Sequence, residues 1–268
     1  MKLCGLVATC CWLMMAVAHA QPCDPCALAN GRYRAVPPAD WDGKRALPVL
    51  LFVHGWQSTA DSTVADDDVR GPAGRQGFLL LAPDGIDKRW GFRGSQAGGR
   101  DDLGFLQAVV QDAATRFPID RRLVVAAGFS IGASMVWDLA CHAAAGFTAF
   151  LPISGGFWEP LPVACEAGPV NLRQTHGTGD TTFPLAGRPV GRGMRQGDVR
   201  RGFALWRAAD GCTEAPDAAI GAANLTCSVW RQCRSGRQLQ FCLHADGHMI
   251  YGPQLEAGLI WARGLPVP

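Results

Sequence analysis

The stretch that decides the fold is "RLVVAAGFSIGASMVWDLACH", residues 122–142. Its first half is an unbroken apolar run, the pattern of a strand buried on both faces, and its second half is rich in helix formers. Between them stands Gly128-Phe129-Ser130-Ile131-Gly132. A packed core has no use for a hydroxyl at such a junction, so the chain either merely turns there or presents Ser130 to a reactant. Gly-x-Ser-x-Gly between a strand and a helix is the nucleophile elbow, a turn so sharp that the residues flanking it must lack bulky side chains. Such a turn projects Ser130 from the top of a sheet. It also aims the N–H of Ile131 and the start of the following helix at any oxyanion formed beside the hydroxyl.

The same strand pattern recurs on both sides of the elbow. "ALPVLLFVHG" (46–55), "GFLLLAPDG" (77–85), "FTAFLPISG" (147–155) and the less apolar "NLRQTHGTGD" (171–180) each end in a glycine-bearing loop. Between them, 101–117 places Leu103, Leu106, Val109, Val110 and Ala113 on one helical face, with Asp101 and Asp102 at its positive start. "VRRGFALWRAADGC" (199–212) predicts a further helix, "RQLQFCLHADG" (237–247) a last strand and "PQLEAGLIWARG" (253–264) a closing helix. Strands alternating with helices predict an α/β fold: a doubly wound, mostly parallel sheet with helices on both faces. Ligands in such sheets gather at the carboxyl ends of the strands, where the polar loops of this chain fall.

A serine hydroxyl is a weak nucleophile and requires a base, and the base requires a group to orient it. In this architecture the chain order is Ser, then acid, then His. "HGTGD" offers Asp180 and "ADGHMI" offers His248, both on strand-end loops. His244 lies inside a strand pattern, His142 on the helix after the elbow, and His176 at a strand end suited to a structural hydrogen bond with the neighbouring loop. Asp246 is the rival acid but is two residues from His248 and would have to fold back on its own loop. "HGW" (54–56) follows the first long apolar strand, where the second oxyanion donor belongs. The N–H of Trp56 is the candidate, that of Gln57 the alternate, and His54 is read as a brace for the loop. Trp90, Phe92 and Trp158, on strand-end loops, are candidates for an aromatic substrate platform or for simple cover of apolar surface. The arginine-bearing loop 186–198 could favour an acidic or sugar-linked substrate, but reads rather as a solvated loop.

Residues 1–20, with Lys2, an apolar run too short for a membrane anchor and "AHA" at 18–20, read as a secretory signal peptide, against the rival of a lipoprotein anchored at Cys10. Residues 21–268 then form one catalytic domain, secreted to an extracellular or periplasmic space and free of the membrane after cleavage. The net charge of +2 and a charged fraction of 18% suit a compact globule and give no sign of a nucleic-acid partner. Past the leader remain Cys23, Cys26, Cys141, Cys165, Cys212, Cys227, Cys233 and Cys242, an even set that in an exported protein reads as disulfides. The alternative for Cys23 and Cys26 is a redox pair, but no thioredoxin-like strand and helix follow them.

Together these residues resemble the secreted esterases of the polyhydroxybutyrate depolymerase and feruloyl esterase group, on the α/β-hydrolase fold. The likeness runs from 33–56 through "LAPDG" (81–85), 101–141 and "HGTGDTTFP" (176–184) to the terminal "GH" (247–248). It implies Ser130, Asp180 and His248 as a catalytic triad, the backbones of Trp56 and Ile131 as oxyanion donors, an ester substrate (a plant cell-wall phenolic ester or a polyester oligomer), and no cofactor or metal. By the same likeness Cys212 pairs with Cys242, Cys227 with Cys233, Cys141 with Cys165 and Cys23 with Cys26. Two departures stand out. "GHMIYGP" replaces the group's usual tryptophan and proline after the histidine, and Ile131 replaces the usual Asn or Ser after the elbow serine. An acyltransferase and a non-catalytic binding protein are the alternative readings of the same scaffold.

Overall fold

The computed structural model describes residues 23–95, 99–191, 193–222 and 224–266. The predicted signal peptide and Cys10 lie outside the described residues. The strands are β1 (Cys26–Leu28), β2 (Gly31–Val36), β3 (Leu47–Val53), β4 (Leu79–Pro83), β5 (Ile119–Phe129), β6 (Ala149–Ile153), β7 (Leu172–Gly177), β8 (Pro189–Val190), β9 (Met194–Arg195), β10 (Ala218–Ala222), β11 (Leu225–Trp230) and β12 (Leu239–His244). The helices are α1 (Ala60–Ala65), α2 (Asp67–Arg75), α3 (Asp102–Arg116), α4 (Ile131–His142), α5 (Val199–Asp210) and α6 (Gly252–Arg263).

Among the described residues, ten strands form one sheet in the order β1-β2-β4-β3-β5-β6-β7-β12-β11-β10. The neighbours from β4 to β12 run parallel, while β1, β2, β11 and β10 add antiparallel edges. The apolar runs are explained by position. In β3, between β4 and β5, Val49, Leu51 and Val53 join one core with α3, α4 and α5, and Leu50 and Phe52 join another with α2 and α6. A strand with both faces covered cannot alternate apolar with polar residues. In α3, Asp101 caps the start by accepting from Gly104 N–H at 3.0 Å. Its buried stripe is Phe105, Leu106, Val109, Val110 and Ala113, with Leu103 half-buried. Each fully buried Val, Leu or Phe of this stripe contributes roughly 1.5–3 kcal/mol.

From β3 the chain winds to β4 on one side and then returns to β5 on the other, a reversal of strand order that opens a crevice above the carboxyl ends of β3 and β5. The elbow stands at that point.

All eight described cysteines are bridged, as Cys23–Cys26, Cys141–Cys165, Cys212–Cys233 and Cys227–Cys242. The first two are the pairs that the resemblance implies, and the last two correct it. Cys227 and Cys242 face each other in the antiparallel register of β11 and β12, with Cα atoms 3.9 Å apart. Cys233 lies in the connection between those strands, which doubles back against the end of α5. There Arg234 N–H donates to the Gly211 carbonyl at 3.2 Å, bringing Cys233 to Cys212.

Candidate active site

The elbow is built by contact between backbones. A methyl group on Gly132 would run into the Val53 and His54 carbonyls of the neighbouring strand end, and one on Gly128 into the Gly132 carbonyl. Only hydrogen fits at either position, which is why the motif needs both glycines. Ser130 is forced to φ 58° and ψ −121°, a left-handed conformation that costs on the order of 1–3 kcal/mol for a residue with a Cβ. The turn is held by Ser130 N–H, which donates to the Ile153 carbonyl at 3.0 Å, and by Ser134 N–H, which donates back to the Ser130 carbonyl at 3.1 Å.

Asp180 and His248 meet because β7 and β12 are adjacent and parallel, so the loops leaving their carboxyl ends rise side by side. Gly179 N–H donates to the Asp246 carbonyl at 3.1 Å and Thr178 N–H to the His244 carbonyl at 2.8 Å, zipping the two loops together. His248 Nδ1 then lies 2.7 Å from Asp180 Oδ2. The other carboxylate oxygen of Asp180 accepts from the N–H groups of Thr182 at 2.9 Å and Phe183 at 2.8 Å. Burial works to raise this carboxyl, but the His248 contact and the Phe183 N–H outweigh it and hold Asp180 below the ordinary aspartate value. Asp246 does not reach His248: its half-exposed carboxylate lies 3.6 Å from His244.

The His248 ring lies over Phe129, with centroids 4.7 Å apart, and so beside the elbow. Its Nδ1 faces Asp180, which leaves Nε2 as the nitrogen available toward Ser130. The structure brings the acid and the histidine into contact; it does not close a hydrogen bond from Ser130 Oγ to His248. Such contacts commonly tighten only when a reactant is bound.

The loop after β3 completes the arrangement. A methyl on Gly55 would lie 3.6 Å from Ser130 Cβ, so this loop runs directly past the candidate nucleophile. Gln57 N–H is committed to the Lys88 carbonyl at 3.1 Å, whereas the N–H of Trp56 has no partner among the described residues. Ile131 opens α4, so its N–H has no acceptor within the helix. Both N–H groups are therefore left without a backbone acceptor among the described residues. His54 is buried and neutral: desolvation depresses its pKa, its Nδ1 faces the Gly55 carbonyl at 2.7 Å, and its Nε2 accepts from Gly85 N–H at 3.1 Å. It braces the loop.

Two sequence candidates are not displayed as a substrate platform. Trp90 is completely buried, donates its indole N–H to the His54 carbonyl at 2.9 Å and packs against the His54 ring. Trp158 is 6% exposed, donates to Ser134 Oγ at 3.1 Å and packs with Phe92 and Phe183. Both rings build the floor beneath the loops. Among the exposed large apolar side chains of the described residues, Trp56, 63% exposed, and Met249, 46% exposed, each stand next in sequence to a candidate site loop. Sequence reading passed over both as substrate contacts, because exposure at a strand end depends on which loops pack over it. Loop 186–198 is a β8–β9 hairpin whose Arg188 and Gln196 side chains donate to the Thr182 carbonyl at 2.8 and 3.1 Å. It buttresses the Asp180 loop.

No protein-family model matches the chain. Among known proteins it is similar to feruloyl esterase C of Emericella nidulans, 29% identical over 167 residues that cover 59% of this chain and 58% of that protein. It is similar also to a probable feruloyl esterase C of Aspergillus niger, 26% identical over 59% of this chain and 58% of the relative. Feruloyl esterase D of Neurospora crassa is 28% identical over 63% of this chain and 53% of its own length. The chain thus spans less than two thirds of the length of these relatives. Among solved structures, an acetyl xylan esterase from Aspergillus awamori superimposes with a TM-score of 0.62 at 14% identity, over 87% of this chain and 94% of its own. A Bacillus cereus carboxylesterase superimposes with a TM-score of 0.56 at 17% identity, over 89% and 96%. The chain is therefore a sequence relative of the feruloyl esterases, built on the α/β-hydrolase fold.

Proposed function

We propose that this protein is a secreted serine esterase that hydrolyses carboxylic esters through an acyl-enzyme. The observation that carries the reading is the 2.7 Å contact of His248 with the buried Asp180, held beside a serine at positive φ on a glycine-flanked elbow. In the forward step Ser130 Oγ attacks the ester carbonyl carbon while His248 Nε2 takes its proton. Asp180 holds the ring in the tautomer with Nδ1 protonated and stabilises the imidazolium. The carbonyl oxygen, now an oxyanion, accepts from the N–H groups of Trp56 and Ile131. Collapse breaks the bond to the alcohol oxygen, which leaves with the proton from His248. Water then attacks the acyl-serine under the same base, releasing the acid and restoring Ser130.

The relatives' names support a feruloyl ester as the acyl class, and the exposed indole of Trp56 beside the nucleophile suits an aromatic or extended apolar acyl group. The apolar leader at residues 1–20 and the four disulfides support export. The test is hydrolysis of methyl ferulate, acetylated xylan and hydroxybutyrate oligomers by the wild type and Ser130→Ala. We expect methyl ferulate to be the preferred substrate and Ser130→Ala to lose at least ~10³-fold in kcat while remaining folded. An unchanged rate in the variant overturns the serine mechanism, a preference for hydroxybutyrate oligomers moves the substrate to polyesters, and transfer to an added alcohol in place of free acid makes the protein an acyltransferase.

A further inference from the structure

Behind the Asp180–His248 pair lies a buried chain of side-chain hydrogen bonds that the reaction above does not use. It begins on α4, the helix of the elbow, where Trp137 donates its indole N–H to Gln174 Oε1 at 2.8 Å. The Gln174 amide donates to the Gly155 carbonyl at 3.0 Å and contacts His176 Nδ1 at 3.0 Å. His176 Nε2 in turn lies 2.7 Å from the Phe183 carbonyl and 3.5 Å from Asp180 Oδ2. Trp137, Gln174 and His176 are all completely buried.

The bonding pattern dictates a single tautomer. A carbonyl oxygen only accepts, so His176 Nε2 must carry the proton; Nδ1 is then the acceptor for the Gln174 amide. Gln174 is itself pinned, because its oxygen serves Trp137 and its amide hydrogens serve Gly155 and His176. The ring is also kept neutral, since burial pushes His176 down to about 4 against the pull of Phe183 and Asp180. Neutrality matters at this position. A second imidazolium beside Asp180 would compensate the carboxylate and weaken its hold on His248, whereas a neutral N–H only orients the loop that carries it. The chain also ties the two halves of the site together: Gly155 lies so near the elbow that a methyl on it would run into the Ser130 carbonyl, and Phe183 N–H is one of the donors that fix Asp180.

We propose that His176 is a positioning residue: through its neutral Nε2–H on the Phe183 carbonyl and beside Asp180 Oδ2, it locks the acid loop so that Asp180 stays aimed at His248. The proposal rests on the serine-esterase reading of the site, but one of its readouts does not depend on turnover. His176→Phe removes both ring nitrogens at similar volume. His176→Gln can return an amide N–H to the position of Nε2. The titratable groups facing His176 are Asp180, His248 and His244, and those retained in every variant keep the pH comparison clean.

The measurements are kcat and KM on a short-chain p-nitrophenyl ester, the pH–rate profile, and the low-field proton resonance of the His248 Nδ1–H. In His176→Phe we expect kcat to fall about 10- to 100-fold with KM within about twofold. The acid limb should move to lower pH, because a loosened Asp180 stabilises the imidazolium less, and the low-field line should broaden or vanish. His176→Gln should restore most of kcat and the line. An intact line with kcat within twofold of wild type in His176→Phe overturns the proposal. So does a folded His176→Gln as impaired as His176→Phe, which would mean that an N–H in the place of Nε2 is not what holds the acid loop. A wild type with the low-field line but no esterase activity refutes the function and leaves the positioning role to be decided by the line alone.

Discussion

At the level of single residues, Ser130 was legible because the signal for its turn is local, although the carbonyls of Val53, His54 and Ile153 are what hold the turn in place. The two glycines, the apolar run before and the helix formers after are neighbours in the chain, and the strained φ follows from them. His176 was legible only as a strand-end histidine with a structural bond. That it faces Asp180, and that Gln174 sets its tautomer, depends on which loops surround it. Its burial has a consequence for stability. The folded-state pKa, about 4, lies below the ordinary histidine value of 6.5, so between these values the unfolded chain takes up a proton that the native one refuses. This contribution to stability is therefore present above pH 6.5 and lost as pH falls toward 4. Urea unfolding of the wild type and His176→Gln should show the difference between them changing across this window by on the order of 3 kcal/mol, with the wild type losing more. A difference that stays constant from pH 7 to 4 refutes it.

At the level of elements, the α/β alternation from β3 to α6 is the one that the apolar runs predict, since a strand or helix is specified by the period of its own side chains. The edges were less readable. β1, β2, β10 and β11 are short or weakly apolar and owe their conformation to the strands beside them. Helix α5 carries an element-scale prediction at its last residue. Asp210 is buried, with Oδ1 accepting from Val170 N–H at 3.1 Å, and burial pushes its carboxyl up to about 7 against that bond and Arg237. A raised folded-state value means that stability is present below the ordinary aspartate range and lost as pH rises through about 7. Asp210→Asn keeps an acceptor for Val170 and removes the charge. Relative to wild type its urea midpoint should rise between pH 4 and 7.5, by a free energy on the order of 3 kcal/mol. A fall instead would show that the carboxylate is stabilised by something outside α5.

At the level of the whole molecule, the sheet's order is what assembles the candidate site. It places the Gly55–Trp56 loop against the elbow and the Asp180 loop against His248, while α4 supplies both Ile131 and the anchor for Gln174. The far edge of the same sheet is tied by Cys227–Cys242 across β11 and β12. Replacing both cysteines by alanine should cost about 3 kcal/mol, lowering Tm by roughly 6–12 °C in calorimetry. A Tm unchanged within a degree would mean that the edge strands unfold apart from the rest. By itself the sequence determined the elbow, the run of strands and helices and the identity of the candidate acid and base, because each is written in residues adjacent along the chain. Only the tertiary structure decided that Cys227 pairs with Cys242, and that Trp90 and Trp158 are buried while Trp56 is bare. Those outcomes depend on the lateral order of strands and the packing of loops above them, and separation along a chain carries no record of either.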